Sequence, residues 1–215
     1  MTGHAAPAAS PRRHRARRGE GGRLREEILA AGTRLLLETG DEEAVSIRAI
    51  AQAVGVTPPS IYLHFADKTE LIYAICEELF RKLDDEMAAA AAGVDDPLEE
   101  LRRRGRAYVR FGLENAEAYR VLFMHHKDEI PETVDPEELG DSATFMHLVE
   151  VVQRCLDQGA LRPADPMRLA VGLWVLVHGL TSLLISLPGF PWPAEPEQLA
   201  DRLVADHLQG LLPRP

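Results

Sequence analysis

Two adjacent prolines, Pro58 and Pro59, stand in the middle of a chain whose apolar residues otherwise recur at helical spacing. A proline in a helix interior removes a hydrogen bond and clashes with the preceding turn, at a cost of about 3 kcal/mol. The pair is tolerated only where helix amides have no partner, in the first turn. The prolines therefore start a helix, and the spacing predicts a short one over about 58–65. Two turns are stable only when packed, and Ile61 and Phe65 supply the packed face. Just upstream, Ile47, Ile50, Ala51 and Val54 form the stripe of a helix over 46–54. Ser46 is its N-cap candidate and Gly55 its end. Thr57 is the N-cap candidate of the proline-led helix. Two short helices joined by a tight turn at Gly55-Val56 are a helix-turn-helix.

The rest of the chain keeps the helical period. Leu24, Ile28, Ala31 and Leu35 mark a helix over 23–39, closed by Gly40. Asp67 and Glu70 form a capping box for a long helix over 67–92, with Leu71, Ile75, Leu79 and Leu83 as its stripe. Beyond Gly93, helices are predicted over about 97–115, 117–126, 137–158, 166–187 and 195–212, with a loop at 127–136 that holds Pro131 and Pro136. No strand alternation and no internal repeat is visible, so the fold class is all-α. The expected organisation is a disordered basic arm (1–21), a helix-turn-helix domain (22–68) and a second, helical domain (69–215).

Charge divides along the same line. The 215-residue chain has a net charge of −10. Residues 1–75 carry 10 Lys and Arg against 9 Asp and Glu, whereas residues 76–215 carry 14 against 25. An acidic body behind a balanced head allows nucleic acid to be met through the head alone. The arm adds RRHRARR, read either as a phosphate contact or as a solvated tail. Cys76 and Cys155 are far apart and lack metal-ligand spacing, which fits free thiols in a reducing cytoplasm. No apolar export segment follows the basic N-terminus; the first apolar run, from Leu24, is broken by Arg25, Glu26 and Glu27.

The second helix of a helix-turn-helix enters the major groove with its N-terminus toward base edges. Here that end offers Thr57, Pro59 and Ser60, so direct base reading by this helix is sparse. Arg48 has the reach for a guanine edge. Tyr62, His64 and Lys68 carry donors suited to phosphate oxygens, which fix position without reading sequence. Lys68 stands in the first turn of its helix, against the macrodipole, and a phosphate would supply the missing partner charge. Two of these have a plainer reading: Tyr62 as a core tyrosine with a wet hydroxyl, His64 as a packing or capping residue.

Residues 24–71 resemble the DNA-binding domain of the tetracycline-repressor family of bacterial transcription regulators. The resemblance rests on SIRAIAQAVGV (46–56), YLHF (62–65), Lys68 and Leu71. It implies phosphate contacts at the positions of Tyr62 and Lys68, and base-edge positions at or near Arg48, Pro59 and Ser60. The full expected DNA set is Ser46, Arg48, Thr57, Pro59, Ser60, Tyr62, His64 and Lys68. Pro58 departs from the pattern, since some members place a polar base-reading side chain there, and the operator sequence stays open.

In the second domain, LAVGLWVLVHGLTSLLIS (169–186) is apolar nearly all round, and no charge occurs from Leu169 to Ala194. A transmembrane helix is one reading by length. Gly172, His178, Gly179, Thr181 and Ser182 and the lack of a basic flank speak against it, and no membrane association is expected. A helix apolar on all sides of a soluble protein needs cover on two faces, and a second copy of the chain supplies the other. Trp174, His178 and Gly179 are similar to the motif of the WHG-type ligand-binding domain found behind many heads of this family. That resemblance implies a homodimer through the last two helices, about 166–187 and 195–212. Tyr108, Phe111, Tyr119, Phe123, His125, Phe145, His147, Trp174 and His178 are the candidate pocket residues for a small hydrophobic effector, each also readable as core. The irregular histidine spacing gives no metal signature; no metal and no cofactor is expected.

No nucleophile elbow, phosphate-cradling loop or Cys/His cluster indicates an enzyme. The expected function is a ligand-responsive regulator, a repressor that binds a palindromic operator as a homodimer and is released by its effector. The alternatives are a structural DNA-binding protein without effector, and a small-molecule carrier or enzyme that uses the apolar pocket and ignores DNA.

Overall fold

The computed structural model describes residues 21–40, 45–123 and 143–212. The predicted arm, apart from Gly21, and the predicted loop 127–136 lie outside the described residues, as does His125. Nine helices occur among those described: α1 (Gly21–Thr39), α2 (Ile47–Val54), α3 (Pro58–Ile61), α4 (Lys68–Ala90), α5 (Pro97–Glu114), α6 (Ala116–Phe123), α7 (Ala143–Asp157), α8 (Pro166–Ser186) and α9 (Pro196–Gln209). No strand is present among them. The chain forms two compact units, divided between Glu78 and Leu79, within α4.

The first unit is built on a core of Ile28, Ala31, Leu36, Ile50, Ala51, Ile61, Phe65, Leu71 and Ile75. The apolar stripe of α1 runs through Leu36, which is 1% exposed, and Leu35 is only half-buried. Glycine at position 32 lets α1 lie close to α4: a Cβ there would stand 2.7 Å from Ile75 Cδ1. Local signals close the helices as their chemistry demands. Gly40 takes φ 62° and donates its amide to the Leu36 carbonyl at 2.8 Å. Ser46 accepts from the Ala49 amide at 3.1 Å, and Gly55 takes φ 78° to end α2. Such left-handed backbone is open to glycine without steric penalty.

One local expectation is corrected and two are met in part. The proline-led helix stops at Ile61, not Phe65; Tyr62–His64 form a turn, with the His64 amide bonded to the Ile61 carbonyl at 2.9 Å. Residues 62–67 connect α3 to α4, which begins at Lys68. Thr57 has the extended backbone of an N-cap, but its hydroxyl makes no cap bond and pairs with Ser60 Oγ at 3.0 Å. In the Asp67/Glu70 box, Asp67 Oδ1 accepts from the Glu70 amide at 2.8 Å as expected, and Glu70 reaches back one residue further, to the Ala66 amide.

The second unit packs around α5, which touches α6, α7, α8 and α9. Its core includes Leu101, Tyr108, Val109, Phe111, Tyr119, Val152, Leu173, Val177, Val204 and Leu208. Helix α8 is long and apolar enough to cross a membrane by length and composition, with a mean hydropathy of 1.9. One face of it, from Leu169 through Leu173, Val177, Leu180 and Leu184, is buried in this core. Val171 and Val175 on the opposite face are exposed, and so is Leu183, which flanks the buried stripe. Glu100 is a buried charge, 6% exposed, clamped between Arg104 Nε at 3.0 Å and Arg154 at 2.6 Å. These two bonds satisfy a carboxylate that burial alone would penalise.

Candidate nucleic-acid interface and effector site

The helix-turn-helix presents its polar side chains in two groups. Ser46 caps α2, and Thr57 and Ser60 hold each other's hydroxyls. Each of these three retains hydrogen-bonding capacity. Pro59 is exposed. Arg48 is exposed one residue into α2, while Lys68 opens α4 half-buried, and neither has a carboxylate partner among the described residues. Tyr62 is 53% exposed, and its hydroxyl has no partner among them either. His64 is half-buried, while Phe65 anchors the segment at 1% exposure. Accessible donors beside a buried anchor suit contact with phosphate oxygens.

Periodicity does not single out Leu63, yet it is the most exposed large apolar side chain of the described residues, at 82%. Its place in the turn after α3 fits apolar contact with a thymine methyl. Arg25 is a second such residue: its guanidinium lies 5.0 Å from the ring centroid of Phe65. Residue spacing carries no sign of that pairing, because α1 and the YLHF turn are brought together only by folding.

In the second unit six of the nine pocket candidates form one aromatic cluster. His178 from α8 is ringed by Tyr119 (centroids 5.6 Å apart), Phe123 (5.1 Å) and Trp174 (5.6 Å). Phe145 joins through Trp174 at 5.8 Å, and Tyr108 meets Tyr119 edge-on at 6.0 Å. Three polar groups converge inside it. Nδ1 of His178 lies 2.8 Å from the Tyr119 hydroxyl and 3.1 Å from that of Tyr108. The Tyr119 hydroxyl also reaches the His178 carbonyl at 3.2 Å. Burial pushes both phenols up and the imidazole down, so all three are neutral at physiological pH.

Two candidates stand apart. Phe111 is fully buried beneath the Lys82 ammonium, which lies 5.7 Å from its ring centroid. His147 is paired with Asp84 Oδ2 at 2.8 Å, and Asp84 in turn lies 3.9 Å from Arg104. Among the described residues no group of three or more His, Cys, Asp or Glu is placed to hold a metal ion.

An all-helical chain with an N-terminal helix-turn-helix unit and a separate helical unit defines a class of DNA-binding regulator. Comparison with known proteins gives the family. Residues 28–75 match the family model "Bacterial regulatory proteins, tetR family", and residues 101–207 match "Tetracyclin repressor-like, C-terminal domain". The chain belongs to the tetracycline-repressor family of bacterial transcription regulators, which is not a family of enzymes. Among relatives, it is 28% identical over 175 residues to the HTH-type transcriptional regulator TtgR of Pseudomonas putida, covering 76% of this chain and 81% of that protein. It is 26% identical over 149 residues to the HTH-type transcriptional activator FasR of Mycolicibacterium smegmatis, covering 69% of this chain and 66% of that one. Of solved structures, the regulator PfmR from Thermus thermophilus is 26% identical with a TM-score of 0.57, over 87% of this chain and 99% of that one. A Rhodococcus sp. RHA1 protein of unknown function shares the fold with a TM-score of 0.74 at 21% identity, over 88% and 96%.

Proposed function

We propose that this chain is a cytoplasmic, ligand-responsive repressor that holds a palindromic operator as a homodimer and releases it when a small hydrophobic effector enters the second unit. The observation that carries the DNA-binding part is a set of helix-turn-helix donors with no carboxylate partner among the described residues: Arg48 and Tyr62, both exposed, and Lys68, half-buried. Lys68 stands at the first residue of α4, where the helix macrodipole disfavours a cation unless an anion faces it. We assign Tyr62, His64 and Lys68 to phosphate and Arg48, Pro59 and Ser60 to the neighbourhood of base edges, with Ser46 and Thr57 flanking.

The exposed apolar residues of α8, Val171, Val175 and Leu183, support a homodimer through α8 and α9. A two-fold axis then sets two α3 helices one duplex turn apart, about 34–36 Å, as a palindrome requires. The second unit is read as a WHG-type ligand domain on Trp174, His178 and Gly179. Its aromatic cluster suits a neutral, apolar effector, since Tyr108, Tyr119 and His178 offer hydrogen bonds and no charge. The chain passes between the units within α4, the covalent route by which effector binding would alter head spacing. An effector shifts that balance only by its differential affinity for the two states.

The test is DNA selection from sheared genomic fragments, followed by titration of the selected duplex at several salt concentrations. Tyr62→Phe and Lys68→Ala should weaken binding to every sequence, and Lys68→Ala should lower the salt slope by about 0.9 for each phosphate it ceases to neutralise. Unchanged binding in both variants refutes the phosphate assignment. Failure of the wild-type chain to retain any duplex at low salt refutes the DNA reading itself.

A further inference from the structure

The first unit contains five described Lys and Arg residues, and they sort into two kinds. Arg23 is paired with Glu27 at 3.3 Å and Arg34 with Glu38 at 3.9 Å, both one helical turn apart on α1. Arg48, Lys68 and Arg25 have no carboxylate partner among the described residues. The first two are accounted for by the proposed DNA contact. Arg25 is not.

Its helix gives Arg25 nothing to pair with. The positions three and four residues on are Ile28 and Leu29, and those three and four residues back are Gly22 and Gly21. The adjacent Glu26 faces away, since neighbours in sequence do not share a helix face. The acids nearest Phe65 along the chain, Asp67 and Glu70, are occupied in capping α4. The guanidinium of this exposed residue instead lies over Phe65, 5.0 Å from the ring centroid. A cation over a ring face is held electrostatically and spends none of its five N–H donors. Phe65 is three residues after Tyr62 and three before Lys68, and three residues of chain span at most about 11 Å. The immobilised charge of α1 thus sits on the segment that carries the other proposed phosphate contacts.

We propose that Arg25 is a further DNA-backbone contact of this regulator, a guanidinium from α1 held in place by the Phe65 ring so that its free N–H edge meets a phosphate. It rests on the reading that the helix-turn-helix binds duplex DNA. The contact is electrostatic and carries no sequence information.

The competing role is a lid over Phe65, and substitutions of different shape separate the two. The full chain is titrated with a fluorescently labelled duplex of mixed sequence over a KCl series, and thermal midpoints are read in parallel. Arg25→Met keeps an apolar cover on the ring and removes the charge. It should bind several-fold more weakly at low salt, with the slope of log K against log [KCl] reduced by about 0.9 per protomer, and with its thermal midpoint unchanged. Arg25→Lys keeps the charge and should retain the slope. If Arg25→Met keeps the wild-type slope while Lys68→Ala lowers it, Arg25 is only a lid and the proposal fails with the DNA reading intact. If the wild-type chain binds no duplex at low salt, both fall together.

Discussion

The hydroxyl of Tyr119 on α6 lies 2.8 Å from Nδ1 of His178 on α8, and Tyr108 brings a second hydroxyl to within 3.1 Å of the same nitrogen. Nδ1 can accept from a phenol only while the ring is neutral, with its proton on Nε2. Charging the imidazole would turn an acceptor into a donor in a partly dry aromatic nest.

A pH dependence follows from burial, which lowers the His178 pKa below its ordinary value. The unfolded chain then takes up a proton at higher pH than the folded one. The stability tied to this group is complete above about pH 6.5 and is lost as pH falls from there toward the folded value. The thermal midpoint of wild-type protein should therefore drop between about pH 7 and pH 5. His178→Gln should be less stable at neutral pH and show a shallower decline. Parallel curves for the two proteins would show that His178 is not the titrating group.

The approach of α5 to α8 predicts a steric effect at one glycine. A Cβ at Gly112 would clash with Thr181 Cγ2 and stand 3.0 Å from the Tyr119 ring. Thr181 cannot swing aside freely, because it is fully buried and its hydroxyl is bonded to the Val177 carbonyl at 2.7 Å. Gly112→Ala should cost about 1–3 kcal/mol despite the helix preference for alanine, measured by chemical denaturation. Gly22→Ala, where a Cβ meets nothing within 4 Å, is the control and should be neutral or mildly stabilising.

The uncovered side of α8 predicts the behaviour of a dimer mutant. Val175 and Leu183 are 60% and 49% exposed, so glutamate at both positions should leave the helical content of the protomer intact. In the proposed dimer the same change buries two like charges on each side. Val175→Glu/Leu183→Glu should sediment as a monomer and bind a palindromic duplex at least about tenfold more weakly, since about 1.4 kcal/mol of coupling between the two heads corresponds to that factor. A double variant that still sediments as a dimer would remove α8 from the interface.

Local chemistry was legible in the sequence. Ser46, Gly40, Gly55 and the Asp67/Glu70 box could each be named from residue type and offset, because a cap bond or a left-handed residue is satisfied within four residues of chain. The paired prolines located the start of α3 for the same reason. The end of α3 was not legible, since Ile61 and Phe65 keep helical spacing even though the chain turns between them. The aromatic residues of the second unit were visible as a set, but not which of them meet. His147 reads like His178 in one dimension, yet one is bonded to Asp84 and the other is enclosed by aromatic rings.

The sequence by itself determined the all-helical class and the helix-turn-helix. These follow from backbone rules with a reach of one helical turn. Only the tertiary structure decided that His178 is held by Tyr108 and Tyr119, that Arg154 of α7 closes on Glu100 of α5, and that Arg25 rests on Phe65. Each of those pairs joins residues from separate elements of the chain. Helix packing has many near-equivalent registers in sequence, and the close-packed core selects among them by shape.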